Sequence, residues 1–285
     1  MSKYDRLKKH FAEWKVEHNN PTVNGKAIGC TIPKKVIQIR QDSFTKDGLL
    51  CESTNDVDIL FILKESNVSD EKSGVHYSDG NYFWFKENLD EYLNNDKKKT
   101  INFDDADFIK YYEKITVCAK VIFDDRLKCD FCWYKDKDKI AYMNINKRGG
   151  FGSTDNNTLR NYIEIYGSRI KEQIEIIRPK IIIIMGNDAF ALLTSNKAKI
   201  LTQVHEDQAK KKVIPIRFKE KNRNFFYTNA ILPKTQDNHE SMVEIFSAYH
   251  PAATYGNNSI FSGKNGIKMY EECFREAWNK INDKS

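Results

Sequence analysis

Four short polar segments hold the residue types that could do chemistry together. Lys64-Glu65-Ser66-Asn67 follows the apolar run Val57–Leu63; Asn144, Asn146 and Lys147 close the run Ile140–Ile145; Gly186–Asp188 follows Lys180–Met185; and Tyr249-His250-Pro251 follows Val243–Ala248. A carboxylate such as Glu65 can position or activate a water, and an imidazole such as His250 can donate a hydrogen bond where negative charge develops. An amide such as Asn144 offers a donor and an acceptor side by side. These types suit a hydrolysis in which the leaving group departs as an anion, and no metal is needed for it.

The elements that must position them are legible in the apolar pattern. Val57–Leu63 and Lys180–Gly186 are nearly continuous apolar runs, the signature of strands buried on both faces. Ile140–Ile145 is a third strand, with Phe225–Asn229 and Val243–Ala248 completing the set. Leu7, Phe11 and Trp14 predict an amphipathic helix over residues 4–17, and Leu159, Ile163, Tyr166, Ile170, Ile174 and Ile177 predict a long helix that Pro179 ends. Further helices are expected from Tyr82 to Leu93, over Phe108–Phe123, over Asn187–Leu193 and over Ile267–Ile281, while residues 18–56 read as irregular. Strands alternating with helices predict an α/β fold, a three-layer α/β/α sandwich around a central, mostly parallel sheet. Ligands of such sheets bind outside the carboxyl ends of the strands, where all four polar segments fall.

In order and spacing, over roughly residues 55–280, these segments resemble the uracil-DNA glycosylase superfamily. There the first motif is an apolar strand running into a Gly-acid-small-Pro-Gly turn, matched by Ile59–Leu63 and Lys64-Glu65-Ser66-Asn67. The second is a strand ending in Asn with a Lys three residues on, matched by Asn144 and Lys147. The third is a helix into Pro, a β-branched strand and Gly, matched by Arg178-Pro179 through Gly186. The fourth is His-Pro-Ser, matched by His250-Pro251-Ala252. The resemblance implies a DNA glycosylase that flips out uracil or another altered base and hydrolyses its N-glycosidic bond. It implies catalytic roles for Glu65 and His250, with Asn67 the next candidate. Base contacts are implied for Asn144, Ser66 and one of Tyr82, Phe83 or Phe85, and DNA contacts for Lys64, Lys147, Arg148 and Tyr255.

The sequence departs from that pattern in three places. Lys64 stands where the family has Gly, Ser66-Asn67 replaces the Pro-containing turn, and Ala252 replaces Ser. Gly and Pro there let backbone approach the flipped nucleotide, so a different turn points to a different pocket. A glycosylase of modified cytosines, as in defence against phage DNA, is therefore an alternative target class, and a catalytically silent nucleic-acid-binding protein of the same fold is an alternative function. A metal-dependent nuclease using Asp58 and Glu65 is disfavoured. Asp58 opens the strand that Glu65 follows, which separates the two carboxylates by about 20 Å at roughly 3.3 Å per residue. Cys129-x2-Cys132 has no second pair at suitable spacing, so no metal or cofactor is expected.

Composition narrows the setting. With 46 Lys and Arg against 40 Asp and Glu in 285 residues, the formal charge is +6, only mildly favourable to a nucleic-acid partner. No apolar run reaches the roughly 18 residues of a membrane helix and no signal core opens the chain, so a cytoplasmic protein without membrane contact is expected. Six cysteines spread over this length suit reduced thiols. The expected organisation is an N-terminal helical and irregular extension over 1–54 and an α/β domain over 55–285, acting as a monomer on single- or double-stranded DNA.

Overall fold

The computed structural model describes residues 1–18, 22–23, 26–27, 44, 46–52, 56–67, 84–94, 106–150, 156–195, 200–201, 212–218, 221–233, 239–249 and 266–282. The helices are α1 (Lys3–His18), α2 (Trp84–Asn94), α3 (Ala106–Ile122), the single turn α4 (Trp133–Asp136), α5 (Asn156–Ile177), α6 (Asn187–Leu193) and α7 (Gly266–Asn282). The strands are β1 (Thr22–Val23), β2 (Lys26–Ala27), β3 (Gly48–Leu49), β4 (Ile59–Asn67), β5 (Ile140–Gly150), β6 (Ile181–Met185), β7 (Lys212–Phe218), β8 (Lys221–Leu232) and β9 (Ser241–Ala248).

β1 and β2 form a small hairpin, and the other seven strands make one mixed sheet in the order β3-β5-β4-β6-β9-β8-β7. Its centre is parallel: β4 pairs in parallel with β5 and β6, and β6 with β9. Antiparallel pairs flank that centre, β3 on β5 at one edge and β9-β8-β7 at the other. Each apolar run feeds both faces, because alternate side chains of a strand point to opposite sides. Ile59, Phe61 and Leu63 pack with α2, α3 and α7 through Phe85, Leu89, Ile115, Phe274 and Trp278. Leu60 and Ile62 pack with α1, α5 and α6 through Phe11, Trp14, Ile170, Ile174 and Phe190. Helices thus cover both faces, and the apolar runs Ile59–Leu63 and Ile181–Met185 are buried at every position.

The predicted helices and strands are all present, with informative differences in extent. β4 runs on through Glu65 to Asn67 and β5 through Lys147 to Gly150, so segments expected as polar turns are extended backbone. Their register shifts between Glu65 and Asn67, as a bulge does when a strand is bent near its end. The long helix α5 is broken at Tyr166 (φ −110°, ψ 15°), next to the Gly167-Ser168 pair that commonly permits a kink. Besides the two-residue hairpin strands β1 and β2, two strands of the main sheet escaped the pattern. β3 is too short to show a period, and β7 carries Pro215, which a strand tolerates only at an edge, the position β7 occupies.

The segment expected as an N-terminal extension contributes to this core. Leu7, Phe11 and Trp14 of α1 are buried against α5, and β3 joins the sheet. Arg169 of α5 ties the two helices further, pairing with Glu13 at 3.2 Å, with Glu17, and with Glu172 of its own helix at 3.0 Å. Hydrogen bonding to Glu17, ahead of burial that opposes it, holds the guanidinium firmly protonated.

Candidate functional site

The chain passes from β4 to β5 on one side and then crosses to β6 on the other, so neighbouring connections leave β4 in opposite directions. That reversal is the topological switch point of an open α/β sheet, where a crevice opens beyond the carboxyl ends of the strands. The described parts of the first three polar segments, and Tyr249 at the head of the fourth, lie on this edge. Leu63 stands opposite Asn144 and Glu65 opposite Asn146 across the β4–β5 pair. Ile62 stands opposite Ile184 and Met185 opposite Ala248, and the Gly186 N–H donates to the Ala248 carbonyl at 2.7 Å. Tyr249, one residue before His250, is held by its carbonyl, which accepts from the Tyr270 hydroxyl of α7 at 3.0 Å, and by its ring, edge-on to Phe225 at 5.0 Å.

Around the switch point Lys64 Nζ meets Asp188 Oδ2 and Asn156 Oδ1, each at 3.4 Å, while Asn156 Nδ2 donates to Asp188 at 3.1 Å. Gly186 is required beneath this cluster. Its φ of +134° suits glycine, and a Cβ there would press on Lys64 Cε at 3.3 Å. Lys64, expected on DNA, thus has partners within the protein that span β4, α5 and α6.

One strand over, four donors converge on a carboxylate that sequence reasoning did not single out. Asp47 Oδ1 accepts from Lys147 Nζ at 2.5 Å and from Gln173 Nε2 at 2.9 Å. Its Oδ2 accepts from the Asn144 backbone N–H at 2.7 Å and from Asn144 Nδ2 at 3.4 Å. Lys147 also donates to the Asn144 carbonyl at 2.7 Å and lies over the rings of Phe11 and Trp14, 5.8 and 5.3 Å from their centroids. Burial pulls the pKa of Lys147 down, and the carboxylate at contact distance opposes the pull. A buried ammonium persists only when paired in this way.

These positions revise several expectations. Lys147 is 0% exposed and so has no surface to offer a phosphate; it ties β5 at Asn144 to Asp47 instead. Phe85 is in the core, stacked on Tyr142 with centroids 4.6 Å apart and planes 9° from parallel, rather than free to stack on a base. Asn144, expected at a strand end, lies inside β5, which runs on to Gly150, and is buried with its amide against Asp47. Glu65, Ser66, Asn67 and Arg148 have strand backbone at the same edge, and their side chains lie outside what is described. Tyr82, Phe83, His250 and Tyr255 lie outside the described residues. Asp58 is at the far, amino end of β4, where Lys180 Nζ holds it at 2.7 Å. Among the described residues no group of three or more His, Cys, Asp or Glu could hold a metal ion, and no helix is long and apolar enough to cross a membrane.

Of the residues missed, Gln173 had a readable signal. It falls in the buried stripe of α5 between Ile170 and Ile177, where a polar side chain needs a buried partner. Asp47 had none, since its partners are 97 to 126 positions away. Comparison with known proteins adds no assignment: no family model and no curated protein matches the chain.

Proposed function

We propose that this protein is a DNA glycosylase, flipping a base out of the helix and hydrolysing its N-glycosidic bond to leave an abasic site. The observation that supports the reading is that three separated polar segments, with Tyr249 at the head of a fourth, meet at one edge of the parallel centre of the sheet, at the switch point where such sheets bind ligands. On this reading Glu65 orients the attacking water and stabilises the sugar as it becomes cationic. His250 donates to the departing base as it becomes an anion, and Asn144 contacts the base edge. Phe85 is left out of the pocket because its ring is committed to Tyr142, and Lys147 acts by fixing β5 rather than by touching DNA. The sandwich would then be of the uracil-DNA glycosylase type.

The test is incubation of the protein with duplexes carrying different bases in EDTA, followed by hot alkali to cut abasic sites. Strand breaks that appear only after alkali support the reading. Breaks that need a divalent metal and no alkali would make the protein a nuclease, and a gel shift without breaks would make it a binder.

A further inference from the structure

We propose that Lys114 is a further catalytic residue, a buried ammonium that donates to the base as it leaves as an anion. The inference rests on the glycosylase reading and adds to it a cation that no motif of the sequence marks.

The direction of α3 sets the level of this residue. Just past the helix, the Phe123 ring lies 5.6 Å from Nζ of Lys139, which precedes β5, and Arg126 pairs with Glu244 in the first half of β9 at 2.8 Å. The helix therefore ends at the amino edge of the parallel strands, and its first turns lie toward the carboxyl edge. The Cys118 sulfur is 3.8 Å from the Tyr270 hydroxyl, which donates to the carbonyl of Tyr249, the residue after β9. Lys114 is one turn earlier on the same face of α3, about 6 Å further out at 1.5 Å per residue, and so lies past the strand end. Helical side chains lean toward the amino end, which carries the ammonium outward again.

Three contacts with α7, Cys118 to Tyr270, Asp124 to Arg275 and Asp125 to Trp278, join residues 152, 151 and 153 positions apart. The two elements run parallel and in step, and the same spacing sets Lys114 level with Gly266, the first residue of α7. Asn144 belongs to this layer too: it stands opposite Leu63 and two residues past Tyr142, both packed with α2, α3 and α7.

The electrostatics of the position favour an anion. Lys114 is 5% exposed, and an apolar side chain would fill the same helix face at lower cost than a buried ammonium. Burial lowers its pKa to about 8, with Glu113 opposing and Lys110 assisting, so at neutral pH it is still mainly a cation. Across the interface, Glu271 is taken by Arg275 at 3.1 Å and Glu272 by Lys268 at 4.0 Å, while burial holds the Tyr270 phenol and the Cys118 thiol neutral. The amino end of α7 adds its own positive end of a helix dipole. A base leaving as an anion supplies the charge that this cation suits.

The experiment is a pH profile of base release by the full chain, on the duplex from which the wild type frees a base. In the wild type kcat/KM should fall above about pH 8 as the ammonium loses its proton. Lys114→Met should lower kcat/KM roughly 100-fold or more at pH 7, with duplex binding unchanged, and should not show that fall. Lys114→Arg, charged throughout, should keep part of the rate and also lose the fall. If the Met variant does not fold, the wild-type and Arg profiles decide. No fall in the wild type, a fall that persists in either folded variant, a near wild-type rate in folded Lys114→Met, or a loss confined to duplex binding each overturns the inference. In all of those cases base is still released and the glycosylase reading stands, whereas a wild type that frees no base from any duplex removes both.

Discussion

Asp47 and Lys147 meet at 2.5 Å across 100 positions of sequence, at side-chain exposures of 5% and 0%. The pair joins the residue before the short edge strand β3 to β5 and fixes the backbone of Asn144 from both sides, Asp47 accepting from its N–H and Lys147 donating to its carbonyl. A rigid carboxyl half of β5 is what a site at this edge of the sheet needs.

Breaking this pair from one side should be expensive. Lys147→Met leaves the Asp47 carboxylate buried without its main counter-charge, and Asp47→Asn does the converse to Lys147, each at a cost of about 3–5 kcal/mol. The double variant Asp47→Asn/Lys147→Met should lose clearly less than the sum, because neither charge remains. Urea denaturation of the four proteins measures the coupling, and additive losses would contradict it.

Glu65→Gln should lower base excision by roughly 100-fold or more while DNA binding is retained, because the amide keeps the shape of the side chain and loses its charge. Single-turnover excision and a gel shift on the same duplex separate the two effects. Near wild-type turnover would move the role to another group, with Asn67 next in line.

Phe85→Ala should act through the core. The ring is 2% exposed and stacked on Tyr142, and its loss should cost about 3–5 kcal/mol of stability. Phe85→Leu, which refills much of the space, should restore folding and leave base preference unchanged. A changed base preference in the folded Leu variant would return Phe85 to the pocket.

His10 gives the fold an acid sensitivity. Its ring is 1% exposed, with Nδ1 3.1 Å from Glu172. Burial pulls its pKa below the ordinary value, opposed by Glu172 and assisted by Arg169 and Lys147. The unfolded chain therefore binds a proton at about pH 6.5 that the folded chain resists, so stability falls as pH drops through that value. The slope from this one residue is at most about 1.4 kcal/mol per pH unit. His10→Phe, which keeps an aromatic against Phe11 and Trp14, should flatten the decline in urea midpoint between pH 7.5 and 5; an unchanged decline would place the sensitivity elsewhere.

What could be read in advance follows from range. Val57–Leu63, Ile140–Ile145 and Lys180–Met185 announce the parallel centre because doubly buried strands are apolar at every position. The stripes of α1 and α5 announce helices because their period is local. Lys147 was misread because a lysine is almost never fully buried unless paired, and its partner Asp47 sits in a stretch with no period of its own. Phe85 is one of three aromatics, with Tyr82 and Phe83, that the resemblance offers for a base contact, and the stack on Tyr142, invisible in the sequence, puts its ring in the core. Pro215 hid β7, since the pattern cannot tell an edge strand from a loop when a proline interrupts it.

The most direct measurement is release of free base. Duplexes carrying uracil, hypoxanthine, cytosine or a 5-substituted cytosine, incubated with the protein in EDTA, are analysed by mass spectrometry for the liberated base and by alkali for abasic sites. The account predicts free base and abasic sites in equal amounts from at least one duplex, and their joint loss in Glu65→Gln. Nucleotides or metal-dependent strand breaks in place of free base, or no product from any duplex, would contradict it.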